Sequence, residues 1–125
     1  MIHSRHYSLE QANAAVGWVR ARIERMRAAH ERLGDEEARQ ALSDAAPGNG
    51  GGPPGVAMSE AFVALRGALS ELQEMEVVLR DLDRGLVDFP ALRDGREVYL
   101  CLQDGEDVIE FWHDIESGYG GRQPL

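Results

Sequence analysis

A run of nine residues near the middle of the chain, Pro47 to Gly55, contains only Gly, Pro and a single Asn. Neither a helix nor a strand tolerates this composition, so we predict a flexible linker over residues 43–58. A phosphate-binding glycine loop is disfavoured, because no Gly-Lys-Ser/Thr sequence follows the run and the chain contains no lysine. Regular structure must therefore form on either side of the linker.

The residues before the linker carry a heptad-like pattern. Apolar side chains recur at alternating steps of three and four from Leu9 to Leu33, which is the spacing of a helix with a narrow apolar seam. Ser8 and Gln11 precede or open this pattern with the spacing of an N-terminal capping box. The pattern predicts a first helix over residues 9–42.

The same spacing resumes after the linker and predicts a second helix over residues 59–84, followed by Gly85 in the position where glycine commonly ends a helix. Each seam contains one polar residue, His30 in the first helix and Glu76 in the second, and we expect both at exposed ends or edges. Two such helices joined by a flexible linker favour an antiparallel hairpin. Helices of this length also favour a homodimer formed through helix–helix contact.

Three short runs rich in β-branched and aromatic residues follow, and two Asp-Gly dipeptides separate them. They predict strands over residues 86–91, 97–103 and 108–112. Asp-Gly favours a two-residue type I′ turn, so Asp94-Gly95 and Asp104-Gly105 fix which residues pair. The predicted pairs are all apolar: Ala91 with Val98, Phe89 with Leu100, Val87 with Leu102, Leu100 with Ile109, and Val98 with Phe111.

The opposite face of this sheet is chemically mixed. In the predicted register Asp88 lies opposite Cys101, Tyr99 lies opposite Glu110, and Pro90 marks the first strand as an edge because it has no N–H to donate. The full set on this face is Asp88, Pro90, Glu97, Tyr99, Cys101, Val108, Glu110 and Trp112. We predict one α+β domain over residues 1–125: a long antiparallel two-helix hairpin packed on a C-terminal three-stranded antiparallel β-meander, with a Gly-rich tail over residues 113–125.

Charge and hydropathy exclude several classes of partner. The net charge is −9, and residues 43–125 carry sixteen acidic side chains against six Arg. Such a surface repels phosphate backbones, which argues against a nucleic-acid partner. No apolar stretch approaches the roughly 18 residues of a membrane span, which argues against a membrane partner. Cys101 is the single cysteine and cannot form an internal disulfide, so we predict a cytoplasmic protein.

Several short motifs stand out at the two ends of the chain: YSLEQAN at 7–13, GLVDFP at 85–90, GREVYLC at 95–101, GE at 105–106, WHD at 112–114 and GYGGRQP at 118–124. Through these motifs the chain resembles a family of small, mostly bacterial proteins catalogued as domain of unknown function 2203. The resemblance spans nearly the whole chain and implies a helical protein without an assigned activity. After Leu100-Cys101 the family favours an aromatic residue, usually Trp, where this chain has Leu102; the predicted register places that residue in the core.

Metal ligands are the first candidate chemistry in the last third of the chain. Carboxylates with a neutral imidazole suit Mn, Fe or Zn. However, a third strand that continues without a bulge directs His113 away from Asp88 and Glu110, unless the chain turns at Trp112. A solvated acidic face, with His113 hydrogen-bonded locally, is therefore favoured over a divalent-metal site. The candidate ligands are Asp88, Glu106, Glu110, His113 and Asp114.

The other candidates lie on the mixed face and in the tail. Cys101 is disfavoured as a nucleophile, because Asp88 opposite it raises the thiol pKa. Tyr99 and Trp112 favour an interface or a partly covered sheet over a substrate platform. Arg122 is predicted to clamp Asp88 or Glu110 in an internal salt bridge rather than bind an acidic ligand. The candidate ligand-binding or functional residues are Asp88, Tyr99, Cys101, Glu110, Trp112 and Arg122.

These observations assign no activity. A noncatalytic interaction or small-ligand-binding role is the leading hypothesis. The alternative is a divalent-metal-dependent enzyme with its site in the acidic C-terminal segment.

Overall fold

The computed structural model describes residues 1–34, 37, 40 and 56–125, so the Gly/Pro run and most of the predicted linker lie outside the described residues. The described part is α+β, as predicted, and contains two helices and a five-stranded sheet. The elements in chain order are α1 (Leu9–Arg32), α2 (Val56–Glu74), β1 (Val78–Asp81), β2 (Leu86–Arg93), β3 (Arg96–Leu102), β4 (Phe111–Asp114), a short 3-10 helix (Tyr119–Gly121) and β5 (Gln123–Pro124).

Helix α1 begins with the predicted capping box. The Gln11 N–H donates to Ser8 Oγ at 3.0 Å, and the Ser8 N–H donates to Gln11 Oε1 at 2.9 Å. These bonds satisfy backbone donors that the first helical turn leaves open. The helix ends at Arg32, because Leu33 takes extended backbone angles. Of the predicted continuation over residues 35–42, only Glu37 and Gln40 are described, both as helical, and the rest lies outside the described residues.

Helix α2 ends ten residues earlier than predicted, at Glu74 instead of residue 84. The Val77 N–H donates to the Leu72 carbonyl at 3.0 Å and the Glu76 N–H donates to the Gln73 carbonyl at 2.9 Å. Glu76 itself has a φ of 58°. This is the Schellman arrangement, in which a left-handed residue reverses the chain and satisfies the last carbonyls of a helix. Glycine is the usual residue at that position, which is why the sequence did not indicate the end.

The prediction that Gly85 caps the second helix is wrong. Residues 78–81 form strand β1, and Gly85 lies in the turn between β1 and β2 with a φ of +60°. A side chain at that position would also collide with the carboxylate of Asp104. The backbone angle and the nearby Asp104 side chain therefore favour glycine, but in a hairpin and not at a helix end.

The five strands form an antiparallel meander in the order β1-β2-β3-β4-β5. The three-stranded prediction was incomplete, because β1 and β5 add one strand at each edge. Pro90 does not mark β2 as an edge strand, since β1 pairs with residues 86–88. Pro90 lies beyond the end of β1, and its carbonyl accepts a hydrogen bond from the Tyr7 N–H at 2.7 Å. The missing N–H of proline therefore costs the β1–β2 ladder nothing.

The β2–β3 pairing is the predicted one. Asp94 and Gly95 both have positive φ, 53° and 77°, as a type I′ turn requires. The three predicted apolar pairs form, and Asp88 lies opposite Cys101. Leu102 is buried in the core, as expected.

The predicted β3–β4 pairing is wrong by three positions. Leu100 pairs with Trp112 instead of Ile109, and Tyr99 pairs with His113 instead of Glu110. Because side chains alternate between the two faces of a strand, an odd shift exchanges the faces of β4. Trp112 therefore joins the core, and His113 joins the mixed face.

A loop over residues 103–110 causes this shift. Among the described residues that are not glycine, only Glu76 and Asp94 have positive φ, so Asp104-Gly105 is not a type I′ turn. The loop is fixed to α1 instead: Arg20 donates to the Glu106 carbonyl, and the Ile109 N–H donates to Asn13 Oδ1 at 2.8 Å. Strand β4 then begins three residues later than predicted, at Phe111.

One face of the sheet and the two helices share a single apolar core. Arg25 pairs with Glu71 while Arg32 pairs with Glu60, so the helices run in opposite directions. The seam of α1 is buried within this chain at Ala12, Val16, Val19, Ile23 and Met26. The homodimer predicted through the helices stays a prediction. None of the described helices combines the length and apolar composition that crossing a membrane requires.

The N-terminal segment, residues 1–8, packs beside the sheet and is anchored first by Glu76. The Glu76 carboxylate accepts hydrogen bonds from the N–H groups of Ser4 and Arg5, at 3.1 and 2.8 Å, and from the Ser4 hydroxyl at 2.8 Å. It also lies 3.2 Å from His3 Nδ1. These bonds lower the pKa of Glu76, with the Ser4 hydroxyl as the largest cause.

Glu97 is the second anchor of the N-terminal segment. Its carboxylate accepts from the N–H groups of Ile2 and His3, at 2.8 and 3.0 Å, and lies 2.7 Å from His6 Nε2. The hydrogen bond from His6 and these backbone donors lower the pKa of Glu97 to about 2. The segment thus forms part of the fold, and it was not recognised in the sequence because its partners lie more than seventy residues away.

Candidate functional site

Three buried polar side chains meet on the sheet face that points away from the helices. Asp88 on β2, Cys101 on β3 and His113 on β4 are each only 1% exposed. A carboxylate oxygen, a sulfur and an imidazole nitrogen, one from each residue, lie within 4.8 Å of one another. The shifted β3–β4 register produces this group, because it moves His113 onto the face of Asp88 and Cys101.

The hydrogen bonds of His113 define the state of its ring. Nδ1 lies 2.7 Å from the Asp114 carbonyl oxygen, which can only accept, so Nδ1 carries a proton. Nε2 lies 3.0 Å from Asp88 Oδ1. A neutral imidazole would direct a lone pair from Nε2 at this carboxylate, which is repulsive. Either a proton or a metal cation must therefore lie between Nε2 and Asp88.

Asp88 is held from its other side by Arg80. The Arg80 Nε donates to Asp88 Oδ2 at 2.8 Å, and the Asp88 side chain is 2% exposed against 42% for Arg80. A carboxylate buried to this extent requires a compensating charge or several hydrogen bonds. Arg80 supplies one charge-assisted bond and fixes the orientation of the carboxylate, while its own head reaches solvent.

Cys101 is a protonated thiol in the absence of a metal ion. Burial, and secondly the charge of Asp88, raise the pKa of Cys101 to about 12. This agrees with the direction predicted from the sequence and disfavours a free thiolate nucleophile at neutral pH. A bound metal ion would reverse this preference, since a coordinating thiol is deprotonated.

An open cleft of about 290 Å³ gives access to the group. Polar side chains of Arg80 and Glu116 and apolar side chains of Leu86, Ile115 and Tyr119 line it together with the three buried donors. The volume is at the lower end of the range for ligand pockets. The group is therefore buried on the protein side and reachable by a small molecule on the other.

A scan against protein-family models matches residues 5–125 to the family described as uncharacterized conserved protein (DUF2203). The chain belongs to this family. The resemblance inferred from the sequence motifs is thereby confirmed, and the match assigns neither catalysis nor a specific function. Searches of curated proteins and of solved structures return no significant match. The three buried donors of this DUF2203 protein all lie in motifs that carry the resemblance, GLVDFP, GREVYLC and WHD.

Two other predicted site residues of the DUF2203 protein pair with each other. Both carboxylate oxygens of Glu106 lie 2.8 Å from Arg122 Nη2. The predicted internal salt bridge of Arg122 thus forms, but its partner is neither Asp88 nor Glu110. The Arg122 guanidinium also lies over the rings of Phe111 and Tyr119, at 4.1 and 5.0 Å. Glu106 is therefore paired with Arg122 and is not part of the buried group.

The remaining predicted residues also lie apart from the buried group. Asp114 pairs with Arg96 at 3.1 Å, and both side chains are largely exposed. Glu110 is exposed in the loop and not on a strand. Trp112, expected on the mixed face, is 6% exposed in the core, with the Arg93 guanidinium 4.5 Å from its ring. Of the predicted metal ligands, Asp88 and His113 come together, and Cys101 joins them.

Tyr99 connects the buried group to the N-terminal segment. Its ring lies 5.4 Å from that of His113, and the Arg80 guanidinium lies 5.1 Å from its ring. Burial raises the pKa of Tyr99, and its hydroxyl oxygen lies 2.7 Å from His3 Nε2. His3 Nδ1 in turn faces Glu76. The mixed face is thus a partly covered sheet, as expected for Tyr99, and the N-terminal segment covers the part next to Tyr99.

Arg80 is the site residue that the sequence did not reveal. The heptad pattern placed it inside the second helix, whereas it lies on β1 opposite the start of β2. The β-branched pair Val77-Val78 was the available signal, since such residues favour strands over helices. Tyr119, another lining residue, lies in the tail motif that carries the family resemblance.

Proposed function

We propose that this protein binds one divalent transition-metal ion, with zinc the best match, through Asp88, Cys101 and His113. The observation that supports this most directly is the 3.0 Å contact between His113 Nε2 and Asp88 Oδ1 in a buried site, where a proton or a cation must lie between the two atoms. A cation bound by both atoms removes their repulsion and needs no added proton. The protein is then a small-ligand-binding protein whose ligand is a metal ion.

The donor set fits zinc chemically. Thiolate, imidazole nitrogen and carboxylate oxygen are the three ligand types that Zn²⁺ uses in proteins. Zinc-bound histidines usually donate their second ring N–H to a carbonyl or carboxylate, which fixes the ring. His113 has this arrangement through the Asp114 carbonyl, and Asp88 is oriented in the same way by Arg80.

The spacing of the donors also fits. Nitrogen and oxygen ligands about 2.0–2.1 Å from a tetrahedral zinc lie about 3.3 Å apart. The observed 3.0 Å between His113 Nε2 and Asp88 Oδ1 is close to that value. The sulfur of Cys101 lies within 4.8 Å of both, so a small movement of the side chain completes a three-ligand site. Binding releases the thiol proton to solvent, so zinc affinity should increase with pH.

A metal-dependent enzyme is the second candidate, and one observation favours it. Three protein ligands leave a fourth position, and the group opens onto a cleft. Structural zinc sites usually have four protein ligands, whereas catalytic sites keep one position for water or substrate. The geometry therefore supports a metal site that is accessible to a further ligand.

Elemental analysis of protein purified without chelator tests the proposal. We expect about one zinc per chain in the wild type, because three buried donors make one site. Cys101→Ser and His113→Gln should lose the metal while remaining folded, as judged by circular dichroism. Glu106→Gln and Asp114→Asn are matched controls, because these residues were metal candidates that pair elsewhere, and they should retain it.

Cobalt provides an independent test that does not depend on the metal content of the purified protein. Co²⁺ added to the apoprotein should produce a thiolate-to-cobalt charge-transfer band that is absent in Cys101→Ser. The proposal is wrong if neither zinc nor this band is found in folded wild-type protein. It is also wrong if the two donor variants and the two controls bind metal equally.

A further inference from the structure

We infer that the fourth position of this metal centre takes a small organic carboxylate from the cleft, with the Arg80 guanidinium holding its second oxygen. This inference rests on the proposed metal site and identifies the class of ligand that the site receives. It is consistent with the charge around the three donors, and it is supported by the position of Arg80 and by the size and lining of the cleft.

The charge of the loaded centre does not repel an anion. A zinc ion with one carboxylate, one thiolate and one neutral imidazole has no net charge, because the two anionic ligands balance the metal. Arg80 lies one hydrogen bond away, at 2.8 Å from Asp88, and adds a positive charge. The adjoining pair of Arg122 and Glu106 is neutral overall. Glu116, the exposed acid on the cleft wall, balances the charge of Arg80, so the field around the centre is close to neutral and the attraction on an anion comes from direct contact with the metal and with Arg80.

Arg80 interacts with Tyr99 as well as with Asp88, and it keeps further N–H donors for an incoming ligand. A guanidinium has five N–H donors, and the Nε donor of Arg80 is the one that contacts Asp88. The side chain is 42% exposed and lines the cleft, so its remaining donors are within reach of a ligand there. A carboxylate can place one oxygen on the metal, where it replaces a water molecule, and direct its other oxygen to Arg80.

The cleft walls define what is attached to the carboxylate. The volume of about 290 Å³ admits a small molecule and excludes a folded partner. Leu86, Ile115 and the Tyr119 ring provide apolar contacts on the walls. A short aliphatic chain on the carboxylate would bury against them and add binding free energy with each methylene. We therefore expect butyrate to bind more tightly than acetate.

Cobalt-substituted protein makes the inference measurable. The ligand-field absorption of Co²⁺ changes when a ligand replaces water, so acetate and butyrate titrations give dissociation constants directly. In Arg80→Gln the acetate constant should rise by roughly tenfold to a hundredfold, the usual effect of losing a charge-assisted hydrogen bond. Saturating Co²⁺ and an unchanged charge-transfer band establish that the variant still holds its metal.

Two matched variants separate a specific contact from a general charge effect. Arg93→Gln removes the same charge from an arginine that stacks on Trp112 outside the cleft, and it should leave the acetate constant unchanged. Glu116→Gln should strengthen acetate binding by about two- to fivefold, because it removes a like charge at an exposed position.

The outcomes distinguish this inference from the proposed metal site. If the charge-transfer band does not form, the metal site itself is wrong. If the band forms but acetate and butyrate leave the ligand-field spectrum unchanged, the metal site stands and the carboxylate inference is overturned. Equal losses of affinity in Arg80→Gln and Arg93→Gln would likewise overturn the role of Arg80.

Discussion

Replacement of Asp88 by Asn should show whether a metal cation or a proton lies between Asp88 and His113, because it removes a metal ligand while preserving the shape of the side chain. In the apoprotein the new amide can donate to His113 Nε2 and accept from Arg80 Nε, the two atoms that now lie 3.0 and 2.8 Å from the carboxylate. The charge-assisted bond to Arg80 becomes a neutral one, which costs about 1 kcal/mol. For a chain of 125 residues this corresponds to a decrease in Tm of about 4 °C.

Zinc should have the opposite effect on the wild type and no effect on Asp88→Asn. Free zinc at a hundred times its dissociation constant stabilises the folded state by about 2.7 kcal/mol, which raises Tm by about 10 °C for a domain of this size. Thermal unfolding followed by circular dichroism, with and without zinc, measures both effects. Asp114→Asn is the matched control: its exposed pair with Arg96 is worth less than about 1 kcal/mol, and the zinc-induced shift should remain.

A charged His113–Asp88 ion pair without metal makes a different prediction. The wild type would then show no zinc-induced increase in Tm. That result, or a full zinc-induced shift in the Asp88→Asn variant, would refute the reasoning that a metal cation lies between these two residues.

Three further predictions concern the apoprotein. Cys101 should react with a thiol reagent at pH 8 far more slowly in the folded protein than in urea, because burial and Asp88 raise its pKa to about 12; equal rates would contradict the structure. Tyr7→Phe should lower the free energy of unfolding by about 1 kcal/mol, because it removes only the hydrogen bond from the hydroxyl to the Met75 carbonyl at 2.8 Å. In urea unfolding this appears as a lower midpoint with an unchanged m value. Glu97→Gln should make the free energy of unfolding less dependent on pH in acid. The pKa of Glu97 is about 2 in the folded protein and 4.5 ordinarily, so its contribution to stability is complete above pH 4.5 and is lost as the pH falls toward 2. An unchanged pH profile in the variant would refute this.

The sequence predicted the elements whose determinants are local. The capping box at Ser8 and the Asp94-Gly95 turn each specify their backbone through neighbouring residues, and both formed as predicted. The turn then fixed seven residue pairs between β2 and β3, including Asp88 with Cys101. Local chemistry was sufficient there because a tight turn leaves no freedom in the register.

The elements that were predicted wrongly depend on distant contacts. Asp104-Gly105 had the same turn signal, but α1 holds the loop around it through Arg20 and Asn13, more than eighty residues away in sequence. The resulting odd shift placed His113 with Asp88, which the sequence had assigned to opposite faces. The candidate site was therefore predicted by residue type but not by geometry.

The Schellman turn at Glu76 makes the end of α2 depend on the N-terminal segment. A left-handed backbone costs a non-glycine residue roughly 1 kcal/mol, so the turn taken alone is locally frustrated. Glycine at this position would avoid the backbone cost, but it has no carboxylate to accept the hydrogen bonds from the N–H groups of Ser4 and Arg5. The carboxylate of Glu76 offsets the cost of its own backbone angle only when the N-terminal segment is docked on it. The end of α2 and the N-terminal segment should therefore fold and unfold as a single cooperative unit.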